Sequence, residues 1–111
     1  MSPIRPTLRL AATLAAVSLS SMALAQTPPA DALLARNLAA TCANCHGTNG
    51  RAQGDMKPLA GWPADGMVAV LTAYKTGAMT GTIMHQIAKG YTDDQIRLIA
   101  QYFDAQTPAK P

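Results

Sequence analysis

Residues 42–46 read Cys-Ala-Asn-Cys-His, and this short stretch constrains the interpretation of the whole chain. Two thiols three residues apart lie about one turn apart on a helix. The order C-x-x-C-H is the attachment sequence of c-type haem, in which each thiol adds to one vinyl group of the porphyrin. We therefore predict one covalently bound haem c, attached at Cys42 and Cys45, with His46 as the first axial ligand of the iron.

Three other chemistries use a pair of cysteines at this spacing. A structural disulfide is compatible with an exported protein. A thioredoxin-like redox pair requires a βαβ setting, which the residue pattern does not indicate. A zinc site needs further Cys or His ligands, and the only remaining histidine is His85. His46 directly after the second cysteine favours haem over all three.

The first 25 residues predict a secretory signal peptide. Residues 1–9 carry two Arg and no acid, residues 10–24 are an apolar run interrupted only by Thr and Ser, and residues 23–25 have the small-x-small form of a cleavage site. The apolar run is shorter than the about 20 residues of a spanning helix, so we expect no stable membrane anchor. We predict a signal peptide over residues 1–25, a monohaem domain over residues 26–111, Sec-type export and a periplasmic location.

The composition is that of one small domain. The 111 residues are 49% apolar and 14% charged, with a formal charge of +3. This mild balance does not provide the clustered basic face that nucleic-acid binding requires, and we expect no nucleic-acid partner. A domain of this size usually needs a disulfide, a metal or a cofactor for stability, which again points to the two cysteines.

Helical patterns fill most of the rest of the chain, and no segment alternates like a strand, which predicts an all-α fold. A first helix covers about residues 32–40, with Asp31 as its cap and with Leu34 and Leu38 on the face that leads to Cys42. A second helix covers about residues 64–75 and ends at Gly77. Between them, residues 46–62 predict a long irregular loop, typical of a segment that wraps a ligand.

The last two helices are marked by their ends. A third helix covers about residues 83–89. The fourth begins at the capping box Thr92-Asp-Asp-Gln95, with two acids in its first turn. Its predicted buried face consists of Ile96, Ile99, Ala100 and Phe103.

Five side chains are candidates for the second axial ligand: Met56, Met67, Met79, Met84 and His85. Met67 lies on the apolar stripe of the second helix, which favours a core position. Met56 follows the motif closely and is expected to stay on the His46 side, and His85 would give a lower potential than a methionine. Met79 and Met84 both follow the second helix, and the residue pattern alone does not separate them.

From about residue 33 to residue 106, the chain resembles class I cytochromes c, especially small periplasmic ones from bacteria. The shared marks include a helix that runs into C-x-x-C-H-G, Leu-Ala-Gly at residues 59–61 and a capped C-terminal helix. The run TIMHQIAKGYTD at residues 82–93 looks most like the haem subunit of flavocytochrome c sulfide dehydrogenase. In that family the methionine of this run is the sixth iron ligand, so the resemblance implies Met84.

The resemblance also implies a single-domain class I cytochrome c fold wrapped around one haem, and an electron carrier rather than an enzyme. The expected partner is a redox protein, in the sharper form a flavoprotein subunit that hands electrons to the haem. The alternative function is a haem-based ligand sensor or enzyme with a labile sixth iron position. The chain departs from the family in having Pro58 one place later than usual and only one haem motif.

Three further expectations concern the surroundings of the haem. The Nδ1–H of His46 should donate to a backbone carbonyl at Lys57 or Pro58. Trp62 either lies near a haem propionate or fills the core. Four basic residues form either a rim that steers an acidic partner or a scattered solvated surface; they are Arg51, Lys57, Lys75 and Lys89.

Overall fold

The computed structural model describes residues 29–110, and within that range the secondary structure is entirely helical. Its elements are α1 (Ala30–His46), a 3₁₀ helix (Thr48–Gly50), α2 (Ala64–Thr76), α3 (Met84–Lys89) and α4 (Asp93–Asp104). The predicted all-α class is confirmed. The predicted signal peptide, residues 1–25, lies outside the described residues. No helix between residues 29 and 110 combines the length and apolarity needed to cross a bilayer.

The core lies where α1, α2 and α4 meet. The buried side chains of α4 are the four that were predicted, and each is 2% exposed or less. Ile99, Ala100 and Phe103 pack in one cluster with Ala39 of α1 and Met67 of α2. The prediction that Met67 belongs to the core is therefore confirmed.

The predicted cap of the first helix is wrong. The helix begins at Ala30, with Pro29 as its N-cap, so Asp31 lies inside the first turn and makes no capping hydrogen bond. Its carboxylate instead interacts favourably with the positive end of the helix dipole. Leu34 is 45% exposed, whereas Ala35 and Ala39 are buried. Leu38 and Cys42, on the predicted face, both pack against the core cluster, and the small alanine side chains let α1 approach α4 closely.

The predicted helix ends of α2 and α4 are confirmed. Gly77 ends α2 in the left-handed conformation, with φ at 82°, and its N–H donates to the carbonyl of Tyr74. At the start of α4, Gln95 N donates to Thr92 Oγ1 at 3.2 Å, and Thr92 N donates to Gln95 Oε1 at 2.9 Å. The capping box therefore satisfies two backbone donors that a helix start leaves free.

The loop between α1 and α2, residues 47–63, folds back on itself at Gly50. The carbonyl of Gly50 accepts hydrogen bonds from Leu59 N at 2.8 Å and Ala60 N at 3.1 Å. Gly50 is buried with φ at 75°, and a Cβ there would lie 2.7 Å from Ala60 N and 2.8 Å from Phe103 Cδ1. Only glycine fits this close approach without displacing its neighbours.

The same loop is tied to the C-terminal end of α4. Gly61 N donates to Phe103 O at 2.8 Å, and the hydroxyl of Tyr102 donates to Asn49 Oδ1 at 2.6 Å. These bonds fix a segment that has little regular structure of its own. The predicted long loop is thus present, although His46 belongs to α1 and the loop contains a 3₁₀ turn.

Candidate functional site

The C-x-x-C-H motif forms the last turn of α1. Cys42 is half-buried and packs against the core cluster, whereas Cys45 is exposed, and the two are not joined by a disulfide. Burial raises the pKa of the Cys42 thiol above its ordinary value. Both side chains line the same cavity as His46. The helix therefore presents two thiols and an imidazole to one space, as the motif requires.

The imidazole of His46 is oriented by the loop that follows it. Its Nδ1 lies 2.7 Å from the backbone carbonyl of Lys57. A carbonyl only accepts, so the proton of the neutral ring is on Nδ1 and the lone pair of Nε2 is left for a metal. The sequence left the acceptor open between Lys57 and Pro58, and the structure identifies Lys57.

The cavity has a volume of about 430 Å³, which is within the usual range for sites of organic ligands. Its walls come from the end of α1, the loop, α2 and the segment around the start of α3. Most of the lining is apolar; beyond the motif residues and methionines it includes Leu59, Trp62, Val70, Leu71, Tyr74, Ile83, Ile87 and Ile99. An apolar wall that also carries two thiols and a held imidazole fits a covalently attached porphyrin.

Part of this wall was missed by the sequence reasoning. Val70, Leu71 and Tyr74 follow Met67 on the apolar stripe of α2, at the third, fourth and seventh positions after it, yet they line the cavity and are half-buried. Gly81 is also a wall residue, and a Cβ there would lie 3.0 Å from Tyr74 Cε1. The apolar stripe of α2 was the available signal. It was interpreted as core alone, but α2 uses one face for both the core and the cavity.

The methionines differ in their access to the cavity. Met84, the first residue of α3, lines it and is half-buried. Met79 is 38% exposed and is not among the lining residues. Met56 lines the cavity at 44% exposure, and Met67 lines it from the core at 2% exposure. His85 is not a lining residue either, and its Nδ1 is buried without a hydrogen-bond partner in the described part of the chain.

The four basic residues that form either a rim or a scattered surface differ in their local contacts. Lys75 pairs with Asp93, with Nζ and Oδ1 2.7 Å apart, and this holds the pKa of the Asp93 carboxyl below its usual range. The Nε of Arg51 donates to the carbonyl of Thr107 at 2.9 Å. Lys57 lines the cavity, whereas Lys89 lies on the exposed end of α3.

Trp62 combines a core position with a place on the cavity wall. It is half-buried, packs against the core cluster and lines the cavity. The ammonium of Lys57 lies over its ring, 4.5 Å from the centroid. Its suggested proximity to a haem propionate stays a prediction.

No group of three or more His, Cys, Asp or Glu side chains between residues 29 and 110 is arranged to hold a metal ion. The described part of the chain thus contains no cluster of the kind that binds structural zinc. A haem iron needs only the axial ligands from the protein, since the porphyrin supplies the other four donors.

Comparisons with known proteins agree with this chemistry. Residues 29–103 match the family model described as cytochrome c oxidase, cbb3-type, subunit III. The cytochrome subunit of sulfide dehydrogenase from Chlorobaculum tepidum is 39% identical over 66 residues, which are 60% of this chain and 60% of the relative. Cytochrome c-552 of Acidithiobacillus ferridurans is 34% identical over 58% of this chain, but only 28% of that relative is covered.

A third relative is matched along nearly its whole length. Cytochrome c-554(548) of Halomonas halodenitrificans is 32% identical over 80 residues, which are 68% of this chain and 96% of the relative. The chain thus spans less than two thirds of the first two relatives and almost all of the third. Together with the family model, these matches show that the chain belongs to the c-type cytochromes of that cbb3-type subunit III family, is a class I c-type cytochrome with the all-α fold, and binds haem c covalently.

Proposed function

We propose that this cytochrome is a periplasmic one-electron carrier in which Cys42 and Cys45 attach the haem and His46 and Met84 are the axial ligands. One observation carries the proposal: the hydrogen bond from His46 Nδ1 to Lys57 O, on the wall of an apolar cavity that both cysteines also line. Such a bond fixes the tautomer and the ring orientation of a histidine ligand.

Each of these residues has a distinct role. The bound haem supplies an iron that changes between the ferric and ferrous states. The Lys57 carbonyl keeps the proton on His46 Nδ1 and so leaves Nε2 free to coordinate. The thioether of Met84 would favour the reduced iron and raise the potential. With His46 and Met84 both holding the iron, no position would remain for a substrate, which favours electron transfer over substrate chemistry.

The choice of Met84 over Met79 is supported by position. Met84 lines the cavity, whereas Met79 lies outside the lining. The run around Met84 also resembles the segment that carries the ligand in the haem subunit of flavocytochrome c sulfide dehydrogenase. Both observations favour the same residue independently.

Visible spectroscopy of three variants tests the ligand. Met84→Ala should abolish the weak red band of the ferric iron–methionine bond and lower the reduction potential. Met79→Ala is the matched control outside the cavity, and Met56→Ala is the control on its wall; both should keep the band. Loss of the band in Met79→Ala alone would overturn the assignment. A high-spin ferric spectrum of the unmodified protein would instead favour a sensor or enzyme with a labile sixth position.

We further propose that the redox partner is a flavoprotein, with this chain as the haem subunit of a sulfide dehydrogenase complex. The named Chlorobaculum tepidum relative and the residue 82–93 resemblance support this partner. Mild purification of the native protein should yield a fraction that contains both flavin and haem. Haem without flavin in every fraction would contradict the flavoprotein partner and leave the carrier role intact.

Export is tested on the same preparation. Cleavage after Ala25 predicts a mature chain that begins at Gln26, with a mass increased by one haem. Mass spectrometry of the protein from the periplasmic fraction measures both. An intact chain that starts at Met1 in the cytoplasmic fraction would contradict the predicted export.

A further inference from the structure

We infer that the side chains of Lys57 and Trp62, hereafter the Lys57–Trp62 pair, hold the Lys57 carbonyl against His46 and thereby tune His46 as an iron ligand. The inference rests on the proposed function, because it takes His46 to be a ligand. Lys57 Nζ lies 4.5 Å from the centroid of the Trp62 ring, and Lys57 O lies 2.7 Å from His46 Nδ1. One residue thus connects the imidazole to the tryptophan.

The Lys57 carbonyl needs this support because its own segment is weakly held. No backbone N–H of residues 52–57 donates to a backbone carbonyl within the described chain, and Lys57 itself is exposed. Pro58 restricts the backbone of Lys57 to extended conformations. It does not determine where the segment lies relative to α1. The first backbone anchor after it is Leu59, bonded to Gly50.

Trp62, in contrast, is held in place by its backbone and by the packing of its ring. Its backbone N–H donates to the carbonyl of Leu59 at 3.1 Å, and its ring packs against the core cluster. The indole also lies close to α2, since a Cβ on Gly66 would be 3.1 Å from Trp62 Nε1. An ammonium over the face of such a ring is attracted by the ring quadrupole. The Lys57 side chain is therefore restrained at its far end, which limits the movement of the carbonyl at its near end.

The link to redox chemistry runs through the hydrogen bond. A carbonyl that accepts from Nδ1–H raises the basicity of a histidine ligand. A more basic ligand favours the ferric state, so a looser Lys57 carbonyl should raise the reduction potential. Removal of the Lys57 charge acts in the opposite direction, because a nearby cation disfavours the ferric state. Variants must separate these two effects.

The test measures solvent exchange of the His46 Nδ1–H by NMR in the reduced, haem-loaded protein. Lys57→Met and Trp62→Leu should each speed the exchange several-fold, because the hydrogen bond opens more often. Lys57→Arg keeps a cation over the ring and should restore slow exchange. Lys89→Met removes a charge outside the cavity lining and should leave the exchange unchanged. Trp62→Leu keeps every charge and should also raise the reduction potential.

Lys57→Met is informative even if Trp62→Leu fails to fold, since the Lys57 side chain is exposed. Exchange in Lys57→Met at the rate of the unmodified protein would overturn the inference. Equal acceleration in Lys57→Met and Lys57→Arg would do the same, because only one of them loses the cation. Failure of the proposed function has a different signature, namely an unmodified protein without the iron–methionine band.

Discussion

Gly50→Ala is the sharpest perturbation of the loop that orients His46. The new methyl group would lie 2.7 Å from Ala60 N and 2.8 Å from Phe103 Cδ1, at a φ of 75°. Two costs add. A left-handed conformation costs a residue with a Cβ about 1–2 kcal/mol. Overpacking of a buried site costs about 1–3 kcal/mol more. We therefore expect Gly50→Ala to lower the free energy of unfolding by about 2–5 kcal/mol. The total free energy of unfolding of a small domain is ~5–15 kcal/mol, so this loss is a large part of it.

Gly77→Ala is the matched control. Gly77 has a φ of 82°, but a Cβ there would meet no atom within 4 Å. It should show the backbone cost alone, about 1–2 kcal/mol. Denaturant unfolding of the haem-loaded variants gives both values, provided that the slope m is unchanged. Equal losses in the two variants would refute the argument, because the contacts with Ala60 and Phe103 would then contribute nothing.

Two further predictions concern α4. Thr92→Ala removes the acceptor for Gln95 N and should lower the free energy of unfolding by about 1 kcal/mol in the same denaturant assay. Thr92→Ser keeps a hydroxyl acceptor and should recover most of that free energy. An equal loss of stability in both variants would contradict the cap. Lys75→Gln should raise the pKa of the Asp93 carboxyl towards its ordinary value in an NMR titration, and an unchanged titration would contradict the ion pair. The lowered pKa stabilises the fold above about pH 4, and this contribution is lost as the pH falls through the folded-state pKa.

Local chemistry explains most of what the sequence could predict. A capping box, a left-handed glycine and a face of spaced apolar residues are each visible within a few positions, and α4 and the end of α2 follow them. The C-x-x-C-H motif is equally local, and it identified three of the residues that line the cavity. The failure at Asp31 arose because α1 begins one residue earlier than its cap candidate, at Ala30 after Pro29. The distance between helices, which selected alanines for the contact between α1 and α4, was also not visible in the sequence.

Contacts between residues that are distant in the sequence could not be predicted from local patterns. Lys75 and Asp93 are 18 residues apart, so nothing local indicated that this lysine, one of the four basic residues considered as a rim, is paired with an acid. The acceptor for His46 depends on how an irregular loop returns to α1 over 11 residues. The cavity-lining residues of α2 could not be separated from its core residues, because both belong to one apolar face.

The bond between Tyr102 and Asn49 joins positions 53 residues apart, and α1 packs mainly on α4. Closing a stretch of this length costs conformational entropy before the contact stabilises the fold. The end of α1 that carries both thiols is therefore held in place by a helix from the other end of the domain. The position of the two thiols relative to the loop behind them depends on α4 having packed against α1.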